Sequence, residues 1–437
     1  MTTIACVAQA MQRVMGQQAD ALGRSSGFIQ RERNLRGSQF VQTLVFGWWS
    51  KPEATLEDLA QTGASLGIRI SPQGLDQRFT ERAAQFLRAV LEAALGEVIQ
   101  GPSSSVGLLA RFSAVYVQDS TSVGLPDSLG QVWRGCGGRV ATHTQASVKI
   151  QVQQDVRCGQ LCQVWLSDGR AHDQQQLVAP AALQPGSLRM ADVGYFNLAY
   201  FAALSPDHYW LSRLKAGTWV VDAQGQATKI ETLLRQTHQP QLELSVQLGA
   251  QHRLPARLLA QRLPAPVAAR RRQQARQAAK REGQRLSAAC LVLLGWHVFV
   301  TNLPSTLVSF SEVFCLAHVR WQIELLFKLW KSEGQLDTSR STNPWRILCE
   351  FYAKLLGLLV QHWVLIVTLW HIPNRSLTKA VHTLRRFALA LACAFASRSA
   401  LTRLLLTIAR CLLHGCRINK SMSKPPTWQL LLAQGLS

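Results

Sequence analysis

Acidic side chains are in short supply in this chain of 437 residues: 25 Asp and Glu stand against 47 Lys and Arg, a formal charge of +22. So one-sided a balance favours a polyanionic partner, nucleic acid or an anionic membrane surface, and charge alone does not separate the two. Zinc-type cysteine spacing is missing. Ten cysteines run from Cys6 to Cys416 with no C-x2-C pair, and Cys158-x3-Cys162 and Cys411-x4-Cys416 lack a second pair or a nearby His couple. That argues against a zinc site and for a reduced, cytosolic setting. No apolar core follows the N-terminus, so no secretion signal is expected. A run of sixteen residues without Lys, Arg, Asp or Glu, 355–370, contains Gln361 and His362. It falls short of the about twenty residues of a membrane span and reads as a helix buried on nearly every side. There is no Walker loop, Gly-rich nucleotide fingerprint or internal repeat. His172-Asp173 has no nucleophile elbow to complete a triad and reads as a helix-start pair. With 47% hydrophobic and 16% charged residues the chain is globular, with length for two to four domains.

What is present centres on 313–331, VFCLAHVRWQIELLFKLWK, nineteen residues without Pro or Gly that predict one continuous helix. Arg320 and Glu324 fall one turn apart and Lys331 two turns further, forming a polar stripe. Val319, Trp321, Ile323, Leu325, Leu326 and Leu329 cover much of the remaining circumference. A plain solvated row of ion pairs is the alternative, and Trp321, Phe327 and Trp330, costly to leave wet, weigh against it.

Upstream, a period-two pattern from Ser113 predicts a strand ending at Asp119. A hairpin follows over 148–156 and 161–166, then a helical stretch over 174–183, a strand ending at Asp192, another helix, and a strand at 209–214. That order is the order of an RNase H-like sheet, with both Asp residues at the ends of neighbouring central strands. Each Asp alone is most often a turn or cap residue. Asp119, Asp192 and Glu324 together would repel one another unless cations neutralised them.

Residues 1–105 read as helical. Thr55 and Ser71-Pro72 cap two short helices that form either a helix-turn-helix or a plain hairpin, with Gln73 and Arg78 facing outward. Between 216 and 295 strand-like pieces lead into a basic helix where Arg272, Arg276 and Lys280 recur every four residues. Like charges at that spacing repel, so phosphate contact is the better reading. Trp296 opens a strand, WHVFVT.

The Arg320-x3-Glu324-x6-Lys331 spacing resembles the signature of bacterial insertion-sequence transposases of the DDE class, Tyr-x2-Arg-x3-Glu-x6-Lys. The stretches GWHVFVTNLP (295–304), RWQIELLFKLWKS (320–332) and NPWRILCEFYAKLL (343–356) are similar to the same family. Ala317 occupies the Tyr position, which removes one phosphate contact. The likeness spans roughly 115–365 and is weak at both ends.

It implies an α/β fold: an RNase H-like mixed sheet core interrupted by a β-rich insertion, with helical N- and C-terminal regions. The implied divisions are a DNA-binding region at 1–105, core at 106–215, insertion at 216–295, core at 296–372, and a helical region at 373–437. It implies cut-and-paste transposition, with Asp119, Asp192 and Glu324 holding two Mg²⁺ or Mn²⁺ ions while Arg320 and Lys331 hold phosphates. Trp296, twenty-eight residues before Glu324, matches the family's base-stacking Trp; an ordinary core Trp is the alternative. The implied partners are double-stranded DNA, both terminal inverted repeats and target, bound by a homodimer in the cytoplasm at the nucleoid, with no membrane. The competing reading is a non-catalytic DNA-binding inhibitor or decayed copy, which Ala317 favours.

Overall fold

The computed structural model describes residues 3–31, 35–102, 106–137, 145–281, 283, 285–370, 372, 374–418 and 431. Its described strands form one ten-stranded mixed sheet: β1 Val115–Leu125, β2 Ala146–Asp155, β3 Leu161–Asp168, β4 Leu188–Ala191, β5 Tyr209–Arg213, β6 Trp219–Val221, β7 Ala227–Lys229, β8 Gln241–Leu248, β9 Leu254–Arg262 and β10 Trp296–Thr301. The spatial order is β3-β2-β1-β4-β5-β10-β9-β8-β6-β7. β1 lies parallel to β4 and β4 parallel to β5, while β2 and β3 run antiparallel at one side. The β1–β5 half is the expected RNase H-like arrangement. The insertion does not form a separate sheet, because β10 pairs antiparallel with β5 and carries the β8–β9 hairpin on its far side.

Side-chain alternation splits the interior in two. Val115, Val117 and Val123 of β1 face a large core built with the helix Pro344–Thr368 and helices from both ends of the chain. Ala114 and Tyr116 face a smaller core containing Phe201, Trp210 and Trp296. Pro344–Thr368 has the length and apolarity to cross a membrane, yet 89% of its most apolar window is buried inside the protein. The first helix, Thr3–Gln12, packs on Arg398–His414, and Gly37–Ser50 packs on Pro344–Thr368. N- and C-terminal helices thus share one core.

Three local expectations are corrected, and the open choice between a helix-turn-helix and a plain hairpin falls to the hairpin. β1 continues six residues past Asp119, because β2 pairs with it as far as Leu125. The stretch 174–183 is two 3₁₀ turns, Asp173–Gln176 and Pro180–Ala182, since Pro180 forces Ala179 out of the helical region (ψ 135). The continuous helix over 313–331 is instead two, Phe310–Val319 and Trp321–Ser332, joined at Arg320, where Ile323 N–H bonds back only three residues. The second helix of the N-terminal pair, Pro72–Asp76, is five residues long, too short to cross a groove as a recognition helix.

Candidate active site

The register of the central strands sets the site. Gln118 of β1 pairs with Ala191 of β4, so the next residues along the parallel strands are Asp119 and Asp192. Asp119 leaves the β4-paired part of β1 with its side chain on the large-core face, where Trp321–Ser332 packs. Asp192 begins the turn Val193–Tyr195, its carbonyl accepting from Tyr195 N–H at 2.9 Å.

Arg320 ties the helix to the strand. Its Nη1 donates to Asp119 Oδ2 at 3.1 Å and its Nη2 pairs with Glu324 Oε1 one turn away. Asp119 is further held by the backbone N–H of Ser120, 2.8 Å from Oδ1. Burial, chiefly, pushes the Asp119 carboxyl up to about 6, with the Asp192 and Glu324 charges adding to the rise and the Ser120 N–H and Arg320 opposing it. Lys331 donates to the Ser122 carbonyl at 2.9 Å, so the stripe seen in the sequence lies along β1. Ala317, at the Tyr position, packs partly buried against the large core.

Trp321 and Leu325 are not covered as expected: they are 50% and 40% exposed on the outer side of the same helix. Only the inner side is held by core residues, among them Ile323, Leu326 and Trp330.

Beyond β5 the flank is cationic. Arg213, at the end of β5, Arg271 of the helix Ala265–Arg281, and His297 of β10 gather there, with Arg271 Nη2 3.4 Å from His297 Nε2. Burial, with the charges of Arg271, Arg213 and His318, drives His297 down to about 4, so it is neutral at pH 7. Sequence reasoning passed over Arg213 and His297. The available signal was Arg213's place at a strand end next to the strand of Asp192.

Of the basic-helix residues, Arg276 and Lys280 are exposed. Arg272 turns inward instead, its Nε donating to the Leu291 carbonyl at 3.0 Å and its guanidinium lying against Gly295. Gln73 is exposed, and Arg78 sits partly covered beyond the end of its helix. Trp296 is 7% exposed in the smaller core, with the Arg262 guanidinium 4.6 Å over its ring. A stacked base would have to displace that arginine.

Among the described residues no three His, Cys, Asp or Glu side chains are gathered at metal-ligand spacing. The donor chemistry nevertheless suits a hard divalent cation: the Asp119 carboxylate lies near enough to Asp192 and Glu324 to feel their charges, and a guanidinium stands as the cation between Asp119 and Glu324.

Comparison with known proteins decides the family. The description "Transposase DDE domain" matches residues 111–360, more than half the chain. This chain belongs to that family. Among its relatives, the transposase for insertion sequence element IS231F of Bacillus thuringiensis subsp. israelensis is 28% identical over 364 residues, covering 78% of this chain and 75% of the relative. The transposase for IS231B of B. thuringiensis subsp. berliner is 25% identical over 365 residues with the same coverage. The transposase for IS1151 of Clostridium perfringens is 22% identical, covering 78% and 76%. The protein is therefore an insertion-sequence DDE transposase, a DNA transposase whose substrate is DNA.

Proposed function

We propose that Asp119, Asp192 and Glu324 are the catalytic carboxylates of this transposase and that they hold two Mg²⁺ or Mn²⁺ ions. One observation carries the reading: Asp119 and Asp192 are successive to a paired position on neighbouring parallel strands, and Arg320 links Asp119 to Glu324. Bound by these carboxylates, such ions would supply an activated oxygen nucleophile and stabilise the leaving oxygen.

The chain's own groups do the rest. Arg320 neutralises two carboxylates in the free protein, and its guanidinium would turn to a DNA phosphate where bound cations neutralised those carboxylates instead. Lys331 and the Arg213–Arg271 flank then hold backbone phosphates on either side of the scissile one. Water adds to phosphorus while the P–O3′ bond breaks, leaving a 3′-hydroxyl. That hydroxyl next attacks a phosphodiester of the second strand or of the target, forming a new P–O3′ bond while the attacked strand's own P–O3′ bond breaks and its 3′-oxygen leaves as a hydroxyl. Exposed Arg276 and Lys280 extend the phosphate track, and Gln73 and Arg78 offer contacts from the N-terminal helices. The functional unit is a homodimer on the terminal inverted repeats, acting in the cytoplasm at the nucleoid, as the family resemblance implies.

The test is strand cleavage of labelled DNA carrying the element's own ends, with Mg²⁺ or Mn²⁺ present, alongside a binding measurement. Glu324→Gln is nearly isosteric and should lower cleavage by roughly 10³-fold or more while end binding persists. Cleavage by the Gln variant at the wild-type rate would sink the three-carboxylate reading. Ala317 favours a second reading, a binding-only inhibitor, and specific end binding without cleavage by the wild type would establish it.

A further inference from the structure

We propose that Asp173, outside the three carboxylates, is a positioning residue that fixes the spacing of Asp119 and Asp192 by holding the Ser120 side chain after the first and lying against the Gly194 turn after the second; this rests on the catalytic reading above. Asp173 begins a 3₁₀ turn after β3 and is partly buried beside the acid-bearing strands. Its Oδ1 accepts from Ser120 Oγ at 3.0 Å and from Lys149 Nζ at 3.1 Å. Ser120 is the residue whose backbone N–H holds the Asp119 carboxylate. Lys149 lies on β2, paired with Ser122 of β1, and its ammonium also donates to the Ala171 carbonyl, fixing the turn to the sheet.

The other oxygen reaches the Asp192 side. Oδ2 lies so near Gly194 that a Cβ there would stand 2.7 Å from it. Gly194 is not among the positive-φ glycines, so its backbone conformation does not call for glycine. The missing side chain leaves space: any Cβ at Gly194 would collide with the carboxylate beside the turn that follows Asp192.

Gln174 extends the brace, its Nε2 donating to the carbonyls of Gly194 at 3.4 Å and Phe196 at 3.2 Å. Its Oε1 accepts from Asn197 Nδ2 at 3.3 Å, and Asn197 in turn caps the helix Leu198–Leu204. One short segment is thus bonded to the residue after Asp119 and to the loop after Asp192. A carboxylate that served only its own turn would not need to reach two other strands. Groups that orient metal ligands without touching the ion commonly change affinity by about 10–100-fold when removed.

The experiment is Mn²⁺ titration of the full-length protein by electron paramagnetic resonance, with thermal melting measured without divalent ions. Asp173→Ala should weaken Mn²⁺ binding by about tenfold or more while the melting temperature hardly moves. Asp173→Asn, whose amide oxygen still accepts from Ser120 and still fills the space at Gly194, should stay within about threefold of wild type. Ser120→Ala should weaken binding by a smaller factor. Combined with Asp173→Ala it should add little, because the two act along one path. Wild-type affinity in Asp173→Ala, or full additivity with Ser120→Ala, overturns the brace. If Asp173→Ala fails to fold, Ser120→Ala carries the test, and unchanged Mn²⁺ affinity there overturns it as well. Absence of Mn²⁺ binding by the wild type would instead bring down the metal reading itself, and this inference with it.

Discussion

The acid-bearing strands β1–β5 and the basic helix of the inserted half treat charge in opposite ways. In the half made by β1–β5, charged side chains are satisfied within the protein: Arg320 by Asp119 and Glu324, Lys149 by Asp173, and buried Arg189 by the Gln118 amide at 2.8 Å and the ring of Tyr200. In the inserted half the strands pair Arg257 with Glu243 at 2.6 Å, but along the helix Ala265–Arg281, which has no acid, Arg276 and Lys280 stand exposed. A sheet of one register therefore carries an acid-holding half and an anion-seeking half, meeting at the β5–β10 seam where Arg213 and His297 sit. The first needs a rigid frame to keep like charges close; the second needs only exposure, because phosphate attraction is long-ranged and tolerant of geometry.

Substitutions can break that contrast. The largest effect is expected for Asp192→Asn, which should reduce end cleavage by roughly 10³-fold or more with DNA affinity kept; a loss of affinity of similar size would move Asp192 into the binding half. Next comes Trp296→Ala. As a buried side chain under Arg262 it should cost ~3–5 kcal/mol in denaturant unfolding, and both cleavage steps should fall together. Slowing of the second-strand step alone, at unchanged stability, would instead mark a ring that leaves the core to meet a base.

Smaller, and specific to the acid half, is a pH effect. The Asp119 carboxyl titrates near 6 in the folded protein, above the ordinary carboxylate value near ~3.9 of an unfolded chain. Between about pH 4 and 6 the folded state therefore keeps a proton that the unfolded chain has released. Stability from this group is full below that window and is lost as pH rises through it. Without divalent ions the wild type should lose up to ~3 kcal/mol more than Asp119→Asn between pH 4 and 6.5. Parallel pH curves in chemical denaturation would show that Asp119 ionises normally.

The smallest effects separate neighbours on the basic helix. Arg276→Ala with Lys280→Ala should flatten the log–log salt slope of DNA binding by about two, at unchanged stability. Arg272→Ala should leave the slope alone and cost about 1 kcal/mol by freeing the Leu291 carbonyl. The reverse pattern would mean that Arg272 is the phosphate ligand.

Much of the acid half was legible because its information is local. Alternation in β1, the short apolar strand before Asp192 and the Arg-x3-Glu-x6-Lys interval are visible in single windows of sequence. What escaped depends on partners distant in the chain. Nothing near Asp119 tells that β2 will carry β1 on to Leu125, or that Arg320 will interrupt a run of good helix formers. Which face of the basic helix meets the protein is decided by Leu291 and Gly295, some twenty residues away, so spacing alone put Arg272 in one phosphate-facing row with Arg276 and Lys280. The exposure of Trp321 shows the limit of an apolar count, since burial depends on whether anything is there to cover the ring.

The central claim, that Asp119, Asp192 and Glu324 share one metal site, can be tested without DNA. Fe²⁺ substituted for Mg²⁺, with ascorbate and peroxide, produces hydroxyl radicals that cut the polypeptide beside the bound ion, and mass spectrometry reads the cut positions. The account predicts cuts clustered at Asp119, Asp192 and Glu324 that disappear together with excess Mg²⁺ and together in Glu324→Gln. Cuts at one of these segments without the other two, or cuts indifferent to Mg²⁺, would contradict it.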